Sequence, residues 1–312
     1  MREAPGPPSD DVGAVDAAAS PRTADSAWRF ALGRRICLAY AANPKARVVQ
    51  VSGSTGRGTA DAYSDLEIDV YWSAPPTDDE RRAAVAAAGG ALLKLHPYEE
   101  EEWAEELDFA GFHVGTSTFL VATMERYLDE VLRAYSTAEN PQMRLEALLA
   151  ARSITGDDLA ARWRARAAAY PDGLVAAMLR ANLRFDGLGY AEDMLAARDD
   201  RLLLSDVFVR VERQILGALL GLNRRYLPNP GFKRMDELIA HLPLAPHRLG
   251  ARLKEVFRLP PAAGVGALHA LAAEVLDLVD ATAPEVDTAP YRQRLRRRRG
   301  VWPGPPPRLD LG

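Results

Sequence analysis

The order of apolar and polar positions predicts strands and helices together in the N-terminal part of the chain. Residues 48–51 (VVQV) form a short, β-branched apolar run that is typical of a buried strand. Residues 66–71 alternate apolar and acidic side chains, so the two kinds point to opposite faces of a second strand. Residues 109–120 predict a third strand, and helical patterns cover residues 26–42 and 77–93.

From about residue 141 to residue 280 the apolar positions recur with the period of α-helices, and glycine and proline residues separate the segments. Short breaks between helices are typical of a helical bundle. The predicted fold class is therefore α/β (α+β), with a small mixed β-sheet domain followed by an α-helical bundle domain. The helical segments predicted are 142–151, 157–169, 174–184, 194–222, 235–242 and 268–280.

The length of 312 residues suits about two domains. Residues 1–25 are rich in proline, alanine and aspartate, which predicts a disordered N-terminal segment. We expect the mixed-sheet domain to span residues 26–137 and the bundle to span residues 138–290. Residues 291–312 then form a basic, proline-rich tail.

The composition suits a globular protein, with 48% hydrophobic and 26% charged residues. The net charge of −4 gives no general attraction to nucleic acid. Cys37 is the single cysteine, which excludes an internal disulfide and a cysteine-based metal cluster, and we expect it to fill the core. The N-terminus lacks the apolar run of a signal peptide, and no segment reaches about eighteen uninterrupted apolar residues. A cytoplasmic protein without membrane contact is therefore predicted.

A turn of small residues, 52–58 (SGSTGRG), joins the first two predicted strands. Gly53 allows a close approach of the backbone, and the following N–H groups and the Ser54 hydroxyl can donate hydrogen bonds to phosphate oxygens. The strand after the turn carries Asp65 and Glu67 on one face, where carboxylates are costly to bury without a partner. Mg²⁺ is a suitable partner, since it takes one or two carboxylates and completes its shell with substrate phosphates.

The pair Gly53-Ser54, the spacer after it, and the strand acids Asp65 and Glu67 resemble the signature of the nucleotidyltransferase superfamily. That superfamily includes polymerase β and the aminoglycoside and lincosamide nucleotidyltransferases. The resemblance covers about residues 48–127, whereas the helical half is similar only in general layout. Two further features, Arg57-Gly58 and Ser64, look like the bacterial branch of the superfamily.

The resemblance implies an enzyme that transfers a nucleoside monophosphate, AMP from ATP, to a hydroxyl of a small-molecule acceptor and releases pyrophosphate. An antibiotic or a secondary metabolite is the implied acceptor, and Mg²⁺, as one or two ions, is the implied cofactor. Asp65 and Glu67 would be the catalytic metal ligands. The implied nucleotide-binding residues in the turn and before the second strand are Gly53, Ser54, Arg57 and Ser64.

The resemblance also implies a third carboxylate on a neighbouring strand, and residues 111–116 contain none. Asp108, near the start of the third predicted strand, is the candidate third metal ligand. Asp69 is a weaker candidate because it lies about 13 Å along the strand from Asp65. His113 is also weak, since an imidazole suits Mg²⁺ poorly. The gap leaves a one-metal site, altered chemistry or loss of activity open.

Two other stretches have alternative interpretations. The acidic residues 96–106 favour a solvated loop or a helix end, although one of these glutamates could deprotonate an acceptor hydroxyl. Polar, aromatic and basic residues cluster in residues 221–234, where Asn223, Tyr226 and Lys233 are candidate nucleotide-binding residues. The alternative for this cluster is a helix C-terminus with favourable cations.

Two further functions stay open at this point. The basic run within residues 294–299 would suit a toxin-like nucleotidyltransferase acting on tRNA or protein, although the net acidity does not favour a nucleic acid as partner. The missing third acid would suit a non-catalytic nucleotide-binding protein of the same fold. The predicted partners remain an NTP and a small-molecule acceptor, with the chain as a monomer or homodimer.

Overall fold

The computed structural model describes residues 23–228, 232–302 and 304. The chain forms two compact units, Met1–Met124 with Ala150–Arg162, and Glu125–Leu149 with Trp163–Gly312. The predicted α/β fold class is confirmed, since a mixed sheet with helices precedes a helical region. The predicted domain limits at residues 137 and 290 stay predictions, and the disorder predicted for residues 1–25 falls largely outside the described residues.

The first unit is built on a six-stranded sheet with the order β3-β4-β5-β2-β1-β6. The central strands β2 and β5 are parallel, and every other pair is antiparallel. Helix α1 begins inside the segment predicted to be disordered, with the Thr23 side chain as its N-cap. The elements are α1 (Ala24–Ala41), β1 (Ala46–Val51), α2 (Gly53–Arg57), β2 (Leu66–Trp72), α3 (Asp78–Ala87), β3 (Ala91–Leu95), β4 (Trp103–Phe109), β5 (Phe112–Leu120) and β6 (Arg152–Thr155).

One face of this sheet is apolar and packs against α1 and α3. Leu66, Ile68 and Val70 of β2 point to this side and are fully buried, as the alternation of the strand predicts. Cys37 lies in the same core, so its predicted role as a core filler is confirmed, and burial raises the pKa of its thiol. Residues of β2 at the intervening positions, starting with Glu67, therefore point to the opposite face.

The acidic stretch 96–106 does not form the predicted loop or helix end throughout, because its last residues lie in β4. Glu105 points into the apolar face and is 1% exposed. Its carboxylate accepts hydrogen bonds from Arg81 Nε, Thr116 Oγ1 and, at 3.3 Å, Tyr40 Oη. A buried arginine thus neutralises a carboxylate that the sequence pattern places in water. The predicted helix 77–93 also ends early, and β3 begins at Ala91.

The second unit is helical, as predicted. The predicted helix 194–222 differs in its first part, where a π-helix (Ala191–Ala196) and a turn precede α8. Asp199 has a φ of 55° in that turn, which ends the helical run before Arg201. Two helices, α4 (Val121–Leu132) and α6 (Asp157–Ala168), begin in the first unit and end in the second. The other elements are α5 (Glu139–Ala150), α7 (Asp172–Asn182), a 3₁₀ turn (Leu188–Tyr190), α8 (Arg201–Leu222), α9 (Met235–Ala240), α10 (Leu249–Val256), α11 (Pro261–Thr282) and α12 (Ala289–Leu295).

Helix α11 is long and apolar enough to cross a membrane by length and composition, a feature that the sequence pattern did not single out. The core helix of a helical unit has the same length and composition. Leu268, Leu271 and Val275 of α11 are fully buried. Cytoplasmic location and the absence of membrane contact stay predictions.

The basic run before the C-terminus makes contacts within the second unit. Arg294 pairs with Asp186 at 3.2 Å, and Arg298 pairs with Glu192 at 3.8 Å. These ion pairs agree with a packing role for part of the run, and they occupy two of the arginines on which RNA binding would depend. Residues 303 and 305–312 of the predicted tail lie outside the described residues.

Candidate active site

The face of the sheet opposite the helices carries polar side chains, and we call it the polar face. Its residues include Asp65, Glu67, Asp69, Glu106, Asp108, His113, Gly115 and Ser117. In the register of the sheet, Glu67 of β2 lies beside Gly115 of β5, and Gly115 lies beside Glu106 of β4. Residues that are paired in register share a face, so the two glutamates flank the glycine. The Cα atoms of Glu67 and Glu106 are therefore two strand spacings apart, about 10 Å.

The glycine turn between β1 and β2 lies directly against the Glu67 carboxylate. Gly53 has a φ of +58°, and a Cβ atom built on it would lie 1.7 Å from Glu67 Oε2. The backbone joins the same two segments, since Ser52 N donates to Glu67 O at 3.0 Å. Residue 53 must therefore be a glycine for this carboxylate to hold its position. A side chain would overlap the carboxylate, and the backbone of residue 53 is in the left-handed conformation that favours glycine.

The rest of the turn is compact. A Cβ atom at Gly56 would lie 2.7 Å from Val51 O, so the turn packs onto the end of β1. Gly58 ends α2 in the left-handed conformation, with a φ of 74°. Ser54 is half-buried in this short helix, and Arg57 is exposed at its end. Gly53, one of the predicted nucleotide-binding residues, thus lies next to Glu67, and nucleotide contact by Gly53, Ser54 and Arg57 stays a prediction.

Asp65 is exposed and lies immediately before β2, two residues before Glu67. Ser64 holds the loop that leads to it: the Ser64 hydroxyl donates to Asp61 Oδ1 at 3.0 Å, and Ser64 O accepts from Arg29 Nε at 3.0 Å. Arg29 is itself buried. These contacts give Ser64 a positioning role, and its predicted contact with a nucleotide stays a prediction.

The candidates for a third acid have other roles in the structure. Both carboxylate oxygens of Asp108 accept from Gly111 N, at 2.8 and 2.9 Å, which closes the turn between β4 and β5. Asp69 is buried and accepts from Gln50 Nε2 at 3.1 Å. Within the part of the chain that the structure describes, no group of three or more His, Cys, Asp or Glu side chains is placed to hold a metal ion.

Glu106 is an acid on the polar face, and it belongs to the stretch 96–106 in which the sequence left a glutamate base open without naming the residue. Its Oε1 lies 2.7 Å from His96 Nε2, and this hydrogen bond is the main cause that lowers the pKa of Glu106 below its usual value. A Cβ atom built on the neighbouring Gly115 would meet nothing within 4 Å, so there is open space between Glu67 and Glu106. The available signal was the alternation of residues 103–109 (WAEELDF). In a strand, Glu106 and Leu107 point to opposite faces, so a buried Leu107 places Glu106 on the polar face.

The predicted nucleotide-binding residues of the helical half lie in the second unit. Asn223 Nδ2 donates to Leu219 O and Leu244 O, and its Oδ1 accepts from Leu244 N, so the amide fixes the end of α8. Tyr226 is buried and donates to Ala167 O at 2.6 Å. These contacts give both residues structural roles.

Lys233 is exposed near the start of α9. Nucleotide contact by Asn223, Tyr226 and Lys233 stays a prediction. The residues of the polar face all belong to the first unit.

The two carboxylates of Asp65 and Glu67 decide which metal site the polar face could form. This donor set fits Mg²⁺ that is shared with substrate phosphates, since that ion takes one or two protein carboxylates in such sites. It does not fit an ion held by protein side chains alone, which needs more ligands. The position of Gly53 against Glu67 supports the shared arrangement, because phosphates on the turn would lie beside the carboxylate.

Comparison with known proteins gives distant structural likeness alone. No family model matches the chain, and no curated protein matches it. The crystal structure of a nucleotidyltransferase-like protein from Exiguobacterium sibiricum is similar, with a TM-score of 0.33 and 12% sequence identity. The likeness covers 80% of this chain and 74% of that chain. A TM-score this low supports no inference about activity.

Proposed function

We propose that the chain is a Mg²⁺-dependent nucleotidyltransferase that transfers AMP from ATP to a hydroxyl of a small-molecule acceptor and releases pyrophosphate. The observation that carries the proposal is the contact of Gly53 with the Glu67 carboxylate. A glycine turn that binds phosphate and an acid that binds the phosphate's counter-ion must be neighbours, and these two are. The sequence resemblance on Gly53-Ser54, Asp65 and Glu67 supports the same assignment.

Each part of the turn has a task in this proposal. The backbone N–H groups after Gly53 and the Ser54 hydroxyl donate to phosphate oxygens, and Arg57 adds positive charge beside them. Asp65 and Glu67 hold Mg²⁺, which when bound offsets the negative charge of the phosphates during transfer. The acceptor oxygen attacks the α-phosphorus, the bond from that phosphorus to the leaving oxygen breaks, and pyrophosphate departs.

The pair of Glu106 and His96 is the proposed base for the acceptor hydroxyl. With Nε2–H bonded to Glu106, the imidazole takes the hydroxyl proton at Nδ1, and the carboxylate stabilises the resulting cation. Glu106 suits this role because its lowered pKa keeps it ionised. The open space over Gly115 separates this pair from Glu67, which leaves room for a phosphoryl group between them. An antibiotic or secondary metabolite as acceptor is supported by the resemblance alone.

A second candidate function is nucleotide binding without turnover. It is favoured by the lack of an acid on the polar face of β5, where residues 113, 115 and 117 are His, Gly and Ser. It is also favoured by the absence of a three-ligand metal group among the residues that the structure describes. In this case the turn and Glu67 would hold a nucleotide with its ion, and no phosphoryl transfer would follow.

One experiment separates the two functions. ATP binding is measured by calorimetry with Mg²⁺, and pyrophosphate release is measured with a panel of hydroxyl-bearing acceptors that includes aminoglycosides. Binding and release together support the transferase, whereas binding alone across the panel supports the second function. The absence of both contradicts the two proposals.

Two variants assign the acids. Asp65→Asn and Glu67→Gln should abolish pyrophosphate release while the circular dichroism spectrum is unchanged, because each removes one negative ligand from the shared ion. Asp79→Asn is a matched control, since it removes an exposed acid of α3, a helix that packs on the other face of the sheet. Retained turnover in either active-site variant would refute the metal assignment.

A further inference from the structure

The second unit contains a cavity between α8, α9 and α10. Its volume of about 520 Å³ lies within the range of small-molecule sites. The walls are mainly apolar, and one carboxylate, that of Glu212 on α8, belongs to the lining. The apolar residues that line it are Val209, Phe232, Met235, Leu253 and Phe257.

Glu212 is a buried carboxyl group with an unused acceptor. The residue is 4% exposed, and its Oε1 has no hydrogen-bond partner among residues 23–228, 232–302 and 304. Burial raises the pKa of Glu212 to about 8. An isolated buried carboxyl group destabilises a fold, and most such groups in proteins have a partner. The missing partner of Glu212 is therefore expected to be a ligand.

The other charged residues of the lining compensate one another. Arg234 pairs with Glu237 at 3.5 Å, and Lys254 pairs with Asp236. Once these two pairs are formed, Glu212 is the acid of the lining that has no basic counterpart. A ligand that completes the cavity therefore carries a positive charge and N–H donors, together with an apolar body for the aromatic and aliphatic walls.

We propose that this cavity binds a small primary or secondary amine with an apolar body, and that the ammonium group is held by the Glu212 carboxylate. When such an amine binds at neutral pH, the Glu212 carboxyl group releases its proton to solvent. The resulting carboxylate then forms an ion pair with the ammonium group of the amine. The site lies within the helical unit and does not depend on the transferase proposal. An amine that also carried a hydroxyl group could be an acceptor or a regulator, and the cavity itself recognises the amine.

Calorimetric titration of the full chain with 2-phenylethylamine and with its neutral match, 2-phenylethanol, tests the proposal. We expect the amine to bind at least roughly tenfold more tightly than the alcohol. The binding enthalpy of the amine should also differ between phosphate and Tris buffers at pH 7, because the Glu212 proton is released into the buffer. This second measurement needs no variant protein.

Glu212→Gln should weaken amine binding by at least roughly tenfold and remove the buffer dependence, since the amide has the same shape and no charge. Glu255→Gln is the control, because Glu255 is an exposed glutamate of α10 outside the lining of this cavity. Equal affinity for amine and alcohol, no proton release, unchanged affinity in Glu212→Gln, or no binding of 2-phenylethylamine, N-methylbenzylamine and hexylamine at millimolar concentration would each overturn the proposal.

Discussion

Glu67 and Glu106 lie in register on either side of Gly115, on three neighbouring strands of one sheet face. The glycine between them contributes no side chain, and a Cβ atom built on it would meet nothing within 4 Å. One of the two carboxylates lies against the glycine turn through Gly53, and the other is hydrogen-bonded to His96. In the proposed function, the side with Glu67 binds phosphate and cation, and the side with Glu106 and His96 accepts the proton.

Gly53→Ala should abolish pyrophosphate release, because the new methyl group occupies the position of Glu67 Oε2 and displaces that carboxylate. The substitution should also lower the free energy of unfolding by about 1–2 kcal/mol, because alanine is strained in the left-handed conformation at residue 53. Gly111→Ala is the matched control, since Gly111 has a φ of +86° and open space for a methyl group. It should lose similar stability in urea denaturation and keep turnover. Full activity in Gly53→Ala would contradict the site.

Substitutions at Gly115 should reduce ATP affinity in order of size while leaving the fold intact. Alanine adds a single methyl group to open space and should have a small effect, whereas Gly115→Leu should fill the space between Glu67 and Glu106. We expect at least a roughly tenfold loss of ATP affinity in the leucine variant by calorimetry. Thermal denaturation supplies the check on folding. Equal ATP affinity in both variants would show that the nucleotide does not use this space.

His96→Ala should reduce the rate of turnover by roughly 10²–10⁴-fold without changing ATP affinity, because it removes the proposed proton acceptor. Glu106→Gln should also slow turnover, since the imidazole loses the carboxylate to which it is hydrogen-bonded. His113→Asn is the control, because His113 is exposed on the same face. If the control slows turnover as much as His96→Ala does, the assignment of the base is wrong.

The stability of the protein should decrease between about pH 4.5 and pH 8 through the contribution of Glu212. Its pKa is about 8 in the folded protein and 4.5 in the unfolded chain, so the folded state binds more protons in this window. Rising pH therefore favours the unfolded state, and the loss of stability that Glu212 causes is complete above pH 8. Urea denaturation at pH 5 and pH 8 should show this loss in the wild type and not in Glu212→Gln. A pH dependence that is the same in both would contradict the shifted pKa.

The sequence was sufficient to predict β2 and its two faces, because strand alternation is a local property. Leu66, Ile68 and Val70 share one direction in any strand, whatever lies beside it. The hairpin of β3 and β4 was not predictable in the same way. Residues 91–95 follow an alanine-rich helix without a proline, and the acids of residues 99–106 favour solvent. Burial of Glu105 becomes favourable only with Arg81, which is distant in sequence.

The candidate site was predictable in part for the same reason. Gly53 and Glu67 were selected by local motif, and their contact follows from the antiparallel pairing of β1 with β2. The pairing of Glu106 with Gly115 belongs to the hairpin of β4 and β5, and it was missed because residues 103–106 were interpreted as a solvated loop or a helix end and not as a strand. Asn223 and Tyr226 show the converse, since polar groups at a helix end can be satisfied by backbone that lies far along the chain.

The pairing of β6 with β1 has a consequence for synthesis and for dissection of the chain. A fragment that stops at residue 137 would lack β6. The backbone N–H and C=O groups of Val49 to Val51 would then lie at an unpaired sheet edge, which promotes aggregation. On the ribosome, the first sheet can be completed only after Arg152–Thr155 has emerged, when α4 and α5 are already made. Expression of the sheet unit alone therefore calls for a circularly permuted gene or a short linker that replaces residues 125–149, and not for a simple truncation.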